Sequence, residues 1–222
     1  MNSDSVRDTA GLICLQGGRE FTPACEAMDR LVLDRVATDA GVPTVAVLAG
    51  AARVGSDYAG ASARAGNHYE QLGATVVAVP DPRTDLSAAF DELAASFDLL
   101  VLPGGSPSGL LDVLTGRIGD LVLERHRRGL AISGASAGAM VLCSQLVLPD
   151  RGGDVVAGLG LVGGLALPHW SPGSSRGWTL PDIDLWGLPE CGGALIDAGS
   201  VTAVGAGEPA VQRNGEWTTL PR

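Results

Sequence analysis

The sequence predicts an α/β fold: a doubly wound, mostly parallel sheet with helices on both faces, plus a short C-terminal antiparallel hairpin. Three observations carry this expectation. Short runs that are apolar almost throughout alternate with longer helical patterns over the first two thirds of the chain. Those runs lack in-out alternation, as parallel strands covered on both faces do. Glycines and N-capping residues punctuate the helical stretches, and strand-helix alternation of this kind builds βαβ units.

The strands are expected at 12–16, 44–48, 75–79, 99–102 and 130–133, all rich in Val, Leu and Ile. Helical patterns fall between them, at 24–38, 56–72, 84–96 and 118–128. Ser56 and Thr84 suit N-caps, and Gly41, Gly73 and Gly129 stand where helices should end. The last third differs. Residues 155–170 form glycine-broken apolar runs, and 171–178 read as a loop rich in Ser, Gly and Pro. Residues 201–204, 210–213 and 216–219 look like short antiparallel strands, with Asn214-Gly215 as a two-residue hairpin turn. No linker, repeat or low-complexity block interrupts the chain, so residues 1–222 read as one domain with a flexible segment at 1–10.

A chain of 222 residues can bury a core without disulfides or metal. The net charge is −10, from 15 basic and 25 acidic residues, with no basic run. Nucleic-acid binding needs clustered Lys and Arg and is not expected. The first residues, with Asp4, Arg7 and Asp8, do not read as a signal peptide. Residues 155–167, the longest uncharged apolar run, are too short to span a membrane. Cys14, Cys25, Cys143 and Cys191 are scattered and form no C-x-x-C pair, which suggests reduced thiols and a cytoplasmic location. No His, Cys or Glu pairs occur at ligand spacing, so neither a metal nor a cofactor is expected.

The chemistry concentrates in Gly134-Ala135-Ser136-Ala137-Gly138, a G-x-S-x-G sequence that follows an apolar strand. Small residues on both sides of Ser136 permit a sharp strand-to-helix turn that presents the hydroxyl. A serine needs a base, and the chain has three histidines. His68 and His126 lie in helical patterns and are expected at the surface. His169, in Leu167-Pro168-His169-Trp170, ends an apolar run and is the candidate base. Asp150 and Asp154 both fall between Ser136 and His169, giving the order Ser-Asp-His, and Asp150 is preferred as the orienting acid. The turn Pro103-Gly104-Gly105-Ser106 ends another strand and offers backbone donors. The N–H groups of Gly105 and Ala137 are the expected oxyanion pair, with Gly104 and Ser106 as neighbouring substrate contacts. Gly17-Gly18-Arg19-Glu20, after the first strand, opens on the same edge.

At these residues the sequence resembles the dipeptidase E and cyanophycinase family of serine peptidases, which have a class I glutamine amidotransferase-like fold. Pro103-Gly104-Gly105-Ser106, Gly134 to Ala139 and Pro168-His169 carry the likeness, and Gly17-Gly18-Arg19-Glu20 resembles its cyanophycinase side. The resemblance spans residues 11–212. It implies a Ser-His-Asp/Glu peptidase of small peptides or isopeptides, aspartyl ones typically, with Ser136 as nucleophile and His169 as base. Asp150 sits near the acidic member. Arg19, Glu20, Arg151 and Arg176 are candidate substrate contacts. Two other functions fit the same scaffold. One is a glutamine amidotransferase-like enzyme, although those carry cysteine at the elbow and Cys143 lies seven residues further on. The other is a non-catalytic binding domain. The expected partner is a small peptide or amide; a monomer and a homodimer are both open.

Overall fold

Five apolar runs pair into the parallel core of the molecule. They are β1 (Ile13–Gln16), β2 (Thr44–Val47), β3 (Thr75–Ala78), β4 (Leu99–Leu102) and β5 (Ala131–Ala135). The structure is a computed structural model, and it describes residues 10–37, 41–173 and 182–222. The segment 1–9 and Arg176 lie outside the described residues. Between the strands run α1 (Glu26–Val36), α2 (Ser56–Gln71), α3 (Leu86–Ala94), α4 (Pro107–Val113) and α5 (Arg117–Arg127). The helix α6 (Ala137–Leu142) follows β5 after one residue, Ser136.

Later in the chain come β6 (Cys143–Leu148), β7 (Asp154–Ala157), β8 (Val162–Pro168), β9 (Leu185–Leu188), β10 (Gly192–Asp197), β11 (Ser200–Gly205), β12 (Ala210–Arg213) and β13 (Glu216–Thr219). The first sheet has seven strands in the order β11-β10-β1-β5-β4-β2-β3. Its first five strands in sequence are mutually parallel, while β10 runs antiparallel to β1 and β11 antiparallel to β10.

Burial explains why the runs are apolar throughout. Val45, Val47, Leu99 and Val101 pack toward Met28 and Val32 of α1 and Tyr69 of α2. The alternate residues Ala46, Leu100 and Leu102 pack toward Leu93, Leu110 and Ile118 of α3, α4 and α5. The strands β1, β2, β4 and β5 therefore each feed two cores, while the edge strand β3 is only partly buried, and each fully buried Leu or Val contributes about 1.5–3 kcal/mol. Gly73 and Gly129 end α2 and α5 in positive φ as expected (95° and 105°).

The last third corrects the sequence reading. A second sheet of six strands, β13-β12-β9-β8-β6-β7, takes in most of the region read as broken runs. Its strands β6, β8 and β9 are parallel, and Leu146, Ala166, Trp186 and Leu188 join the core that α6 shares with the first sheet. Glycines disguised β8. At Gly164 (φ 98°) a Cβ would collide with the backbone of Asp184, so glycine marks a close strand approach rather than a loop. Residues 201–204 lie in β11 and extend the first sheet. The hairpin β12–β13 matches its expected bounds, with Asn214 and Gly215 at φ 51° and 84°, the signature of a type I′ turn.

Smaller corrections follow from local chemistry. The cap of α3 is Asp85, whose carboxylate accepts from the Ala88 N–H, rather than Thr84. Gly55 precedes α2, so Ser56 is its first helical residue and not its cap. Both helix histidines are buried rather than exposed. His68 Nε2 donates to Asp29 Oδ2 at 2.8 Å, and His126 Nδ1 donates to the Leu130 carbonyl at 3.0 Å. Desolvation lowers the His126 pKa.

Candidate active site

Three carbonyls in succession at the end of β1 gather the site. Gln16 O accepts from the Ser136 N–H (2.9 Å), Gly17 O from the His169 N–H (2.9 Å) and Gly18 O from the Cys191 N–H (3.1 Å). One strand end thus pins the turns after β5, β8 and β9. Beneath it, buried Gln16 donates to Asp29 Oδ1 (2.8 Å) and Ser133 Oγ (2.9 Å), locking β1 to α1 and β5.

Ser136 occupies the single-residue turn between β5 and α6 at φ 49° and ψ −107°. A non-glycine residue held there stores about 1–3 kcal/mol of strain, so its surroundings must enforce it. They do. A Cβ on Gly134 would collide with the backbone of Gly138, and one on Gly138 with the Leu102 carbonyl. Both glycines are needed for α6 to start directly over the strand ends, and the turn lifts the Ser136 side chain clear of them.

His169, immediately after β8, also has positive φ (53°). Its Nε2 lies 3.1 Å from Ser136 Oγ. The imidazole rests on Gly18 so closely that a Cβ there would strike Cε1. Glycine is required at this point for space and for its own φ of 129°. On the far side of the ring, Nδ1 lies 3.4 Å from Glu190 Oε1. That contact is longer than a well-formed hydrogen bond of about 2.9 Å. Glu190 Oε2 in turn lies 3.5 Å from Arg19 Nη1.

Asp150 is not at the imidazole. Its carboxylate accepts from Ser108 Oγ and from Ser106 Oγ (2.9 Å), and these bonds, Ser108's first, hold its pKa below the usual carboxylate value. Ser106 is engaged twice, since its Oγ also caps α4 by accepting from the Gly109 N–H. Asp154 begins β7, paired with Leu148. The acid facing His169 is Glu190, which comes after the histidine in sequence and not between it and Ser136. The signal available was the carboxylate in Leu188-Pro189-Glu190-Cys191, directly after an apolar run.

Glu20 reaches the glycine turn after β4, where Oε1 accepts from the Gly104 N–H at 2.9 Å. A Cβ on Gly104 would meet both Glu20 Oε1 and Ser136 Cβ, so three segments converge within a few ångströms. Gly105 is held at φ 145°, and a Cβ there would strike the Ala51 carbonyl. Gly105, Ser136, Ala137 and His169 line one cavity of about 320 Å3 at the strand ends. A larger depression, about 770 Å3, opens at the opposite ends of the strands around Leu12, Leu130 and Arg125, remote from Ser136.

Arg151 pairs with Asp112 at the surface. Cys143 begins β6, directly after α6; it is fully buried, and burial pushes its thiol up to about 12. It offers no thiolate. Among the described residues no group of three potential metal ligands clusters, and no helix is long and apolar enough to cross a membrane.

Two solved structures are among those that match the fold. One is a peptidase from an acI-B1 Actinobacterium (TM-score 0.80, 21% identity, 96% of this chain and 95% of that one). The other is a provisionally assigned Peptidase E protein from Listeria monocytogenes EGD-e (TM-score 0.66, 17% identity, 89% of this chain and 100% of that one). At such identities the likeness speaks for the fold alone. No curated protein matches the sequence significantly. The model of peptidase family S51 matches residues 12–182. The chain belongs to peptidase family S51, the serine peptidases of the dipeptidase E type.

Proposed function

We propose that this chain hydrolyses small peptides or amides through an acyl-enzyme on Ser136, with His169 as general base and Glu190 as the acid that orients it. The observation that carries the reading is the line Ser136 Oγ, His169 Nε2, His169 Nδ1, Glu190 Oε1, with gaps of 3.1 and 3.4 Å. With Nδ1 protonated toward Glu190, Nε2 is free to accept the serine proton. Oγ then bonds to the substrate carbonyl carbon, and the carbonyl electron pair moves onto its oxygen. The N–H groups of Gly105 and Ala137 are the proposed donors to that oxyanion, since both line the cavity that holds Ser136. His169 passes its proton to the leaving amine as the C–N bond breaks. A water then loses its proton to Nε2 and attacks the ester, releasing the acid and restoring the serine.

Asp150 has no part in this relay, and no cofactor enters it. All four cysteines are buried free thiols, which supports a reducing compartment such as the cytoplasm. The direct test is reaction with a fluorophosphonate probe. Mass spectrometry should find the adduct on Ser136, and Ser136→Ala should abolish both adduct and hydrolysis. An unlabelled Ser136 in folded protein defeats the reading.

A further inference from the structure

The cavity beside Ser136 has a composition that speaks to the substrate. Its walls are Pro107, Met140, Val147, Pro149, Leu165 and Leu167, and Ser136 and His169 stand in the same lining. No Lys or Arg lines it among the described residues. A substrate carboxylate placed there would shed water and find no counter-ion. An aliphatic or thioether side chain would instead exchange water for apolar wall. The volume, about 320 Å3, admits a side chain of leucine size together with the reacting carbonyl.

Neighbouring charges point the same way. The Asp150 carboxylate sits beside the cavity, bonded to Ser106 between the lining residues Gly105 and Pro107. Among the described residues, Arg151, two positions from Pro149, pairs with Asp112, and Arg19 pairs with Glu190. The whole chain carries −10, a field that disfavours acidic ligands.

We infer that this cavity is a specificity pocket for an uncharged apolar side chain next to the scissile bond, so that Leu-, Met- or Val-type substrates are preferred to aspartyl ones. The inference rests on the hydrolytic reading of Ser136 and departs from the aspartyl preference that the family resemblance implied. The pocket discriminates by its lining: among the described residues it offers apolar wall and no cation to repay the desolvation of a carboxylate.

The test is the rate at which Ser136 is modified by diphenyl phosphonates carrying leucine, methionine or aspartate side chains, beside a plain fluorophosphonate. The leucine and methionine reagents should react at least about thirtyfold faster than the aspartate reagent. Val147, half-buried on β6, offers a place for a charge. Val147→Lys should narrow the ratio at least tenfold by accelerating the aspartate reagent. Met140→Ala should favour a phenylalanine reagent over the leucine one. An aspartate reagent as fast as the leucine reagent in wild type overturns the inference while leaving the hydrolytic reading intact. A folded Val147→Lys with an unchanged ratio overturns it equally. Failure of the plain fluorophosphonate to label Ser136 removes the hydrolytic reading and the inference together.

Discussion

Glu190→Gln removes a charge and keeps a shape, and its effect follows from one distance. Oε1 lies 3.4 Å from His169 Nδ1, and the two side chains are 48% and 54% exposed. Attraction between a carboxylate and an imidazolium at that separation is about 1.2 kcal/mol in bulk water and about 5 kcal/mol at an effective dielectric of about 20. Half-exposed groups belong in the lower part of that range, so a loss of about 1.5–3 kcal/mol is expected. That corresponds to a fall of about 10- to 150-fold in rate. The imidazolium exists only while the serine proton is in transit, so the loss should appear in kcat and leave KM nearly unchanged. Arg19, 3.5 Å from Oε2, would then face the imidazole with its charge uncompensated, which pushes the effect toward the larger figure. The assay is steady-state hydrolysis of a dipeptide or aminoacyl anilide, with the fluorophosphonate labelling rate as a second reading. A Glu190→Gln enzyme within twofold of wild type, or one altered only in KM, refutes the assignment.

Four further outcomes are expected. Asp150→Asn should label at Ser136 within about threefold of wild type, in contrast to Glu190→Gln. Because hydrogen bonds from Ser108 and Ser106 depress the Asp150 pKa in the folded state, its contribution to stability is present above the unfolded carboxylate value and is lost as pH falls through the folded one. The Tm gap between wild type and Asp150→Asn should therefore exist at pH 7 and close on acidification, as scanning calorimetry would show. Gly18→Ala, which puts a methyl into His169 Cε1 at a backbone φ of 129°, should lower kcat by at least about a hundredfold, measured on the same substrates, with Ser136 still in place. Burial pushes the Cys14, Cys25 and Cys143 thiols up to about 12, so iodoacetamide at pH 8 should leave all three unmodified in native protein and alkylate them after unfolding, as read by mass spectrometry.

What was legible in the sequence follows from how local each signal is. The parallel strands announced themselves because burial on both faces forces every residue of a strand to be apolar, as Leu99–Leu102 shows. The turn at Ser136 was legible because two glycines four residues apart, Gly134 and Gly138, are demanded by close backbone contact. The second sheet was not, since Gly164 breaks the pattern of β8 for a reason that lies elsewhere in the chain, the backbone of Asp184 just before β9. The histidines show the same limit. His68 looks solvated on a helix rich in polar residues, yet it is buried against Asp29, an acid 39 positions away. Asp150 was preferred on sequence order, whereas Glu190 comes from a turn beyond the histidine, which order alone could not select.

The arrangement of the site is a consequence of β1 being a central strand with a glycine pair at its end. In the first sheet β1 lies between β5 and β10, so its last residues already touch the turn bearing Ser136 on one side. The chain must still bring in residues from β8 and β9, which belong to the other sheet. Gly17 and Gly18 allow this: a Cβ on Gly17 would collide with the Leu188 and Pro189 carbonyls, and one on Gly18 with the His169 ring. Without side chains the backbone can offer its carbonyls to His169 and Cys191 at hydrogen-bond distance. Glu190, fixed between Pro189 and Cys191, then has little choice but to face the imidazole. The register of the three groups is therefore set by consecutive peptide units of one strand end, and a shift of a single residue in β1 would separate all of them at once. Gln16 resists such a shift, since its side chain is held by Asp29 and Ser133 in a buried network that a one-residue slip would turn to the opposite face.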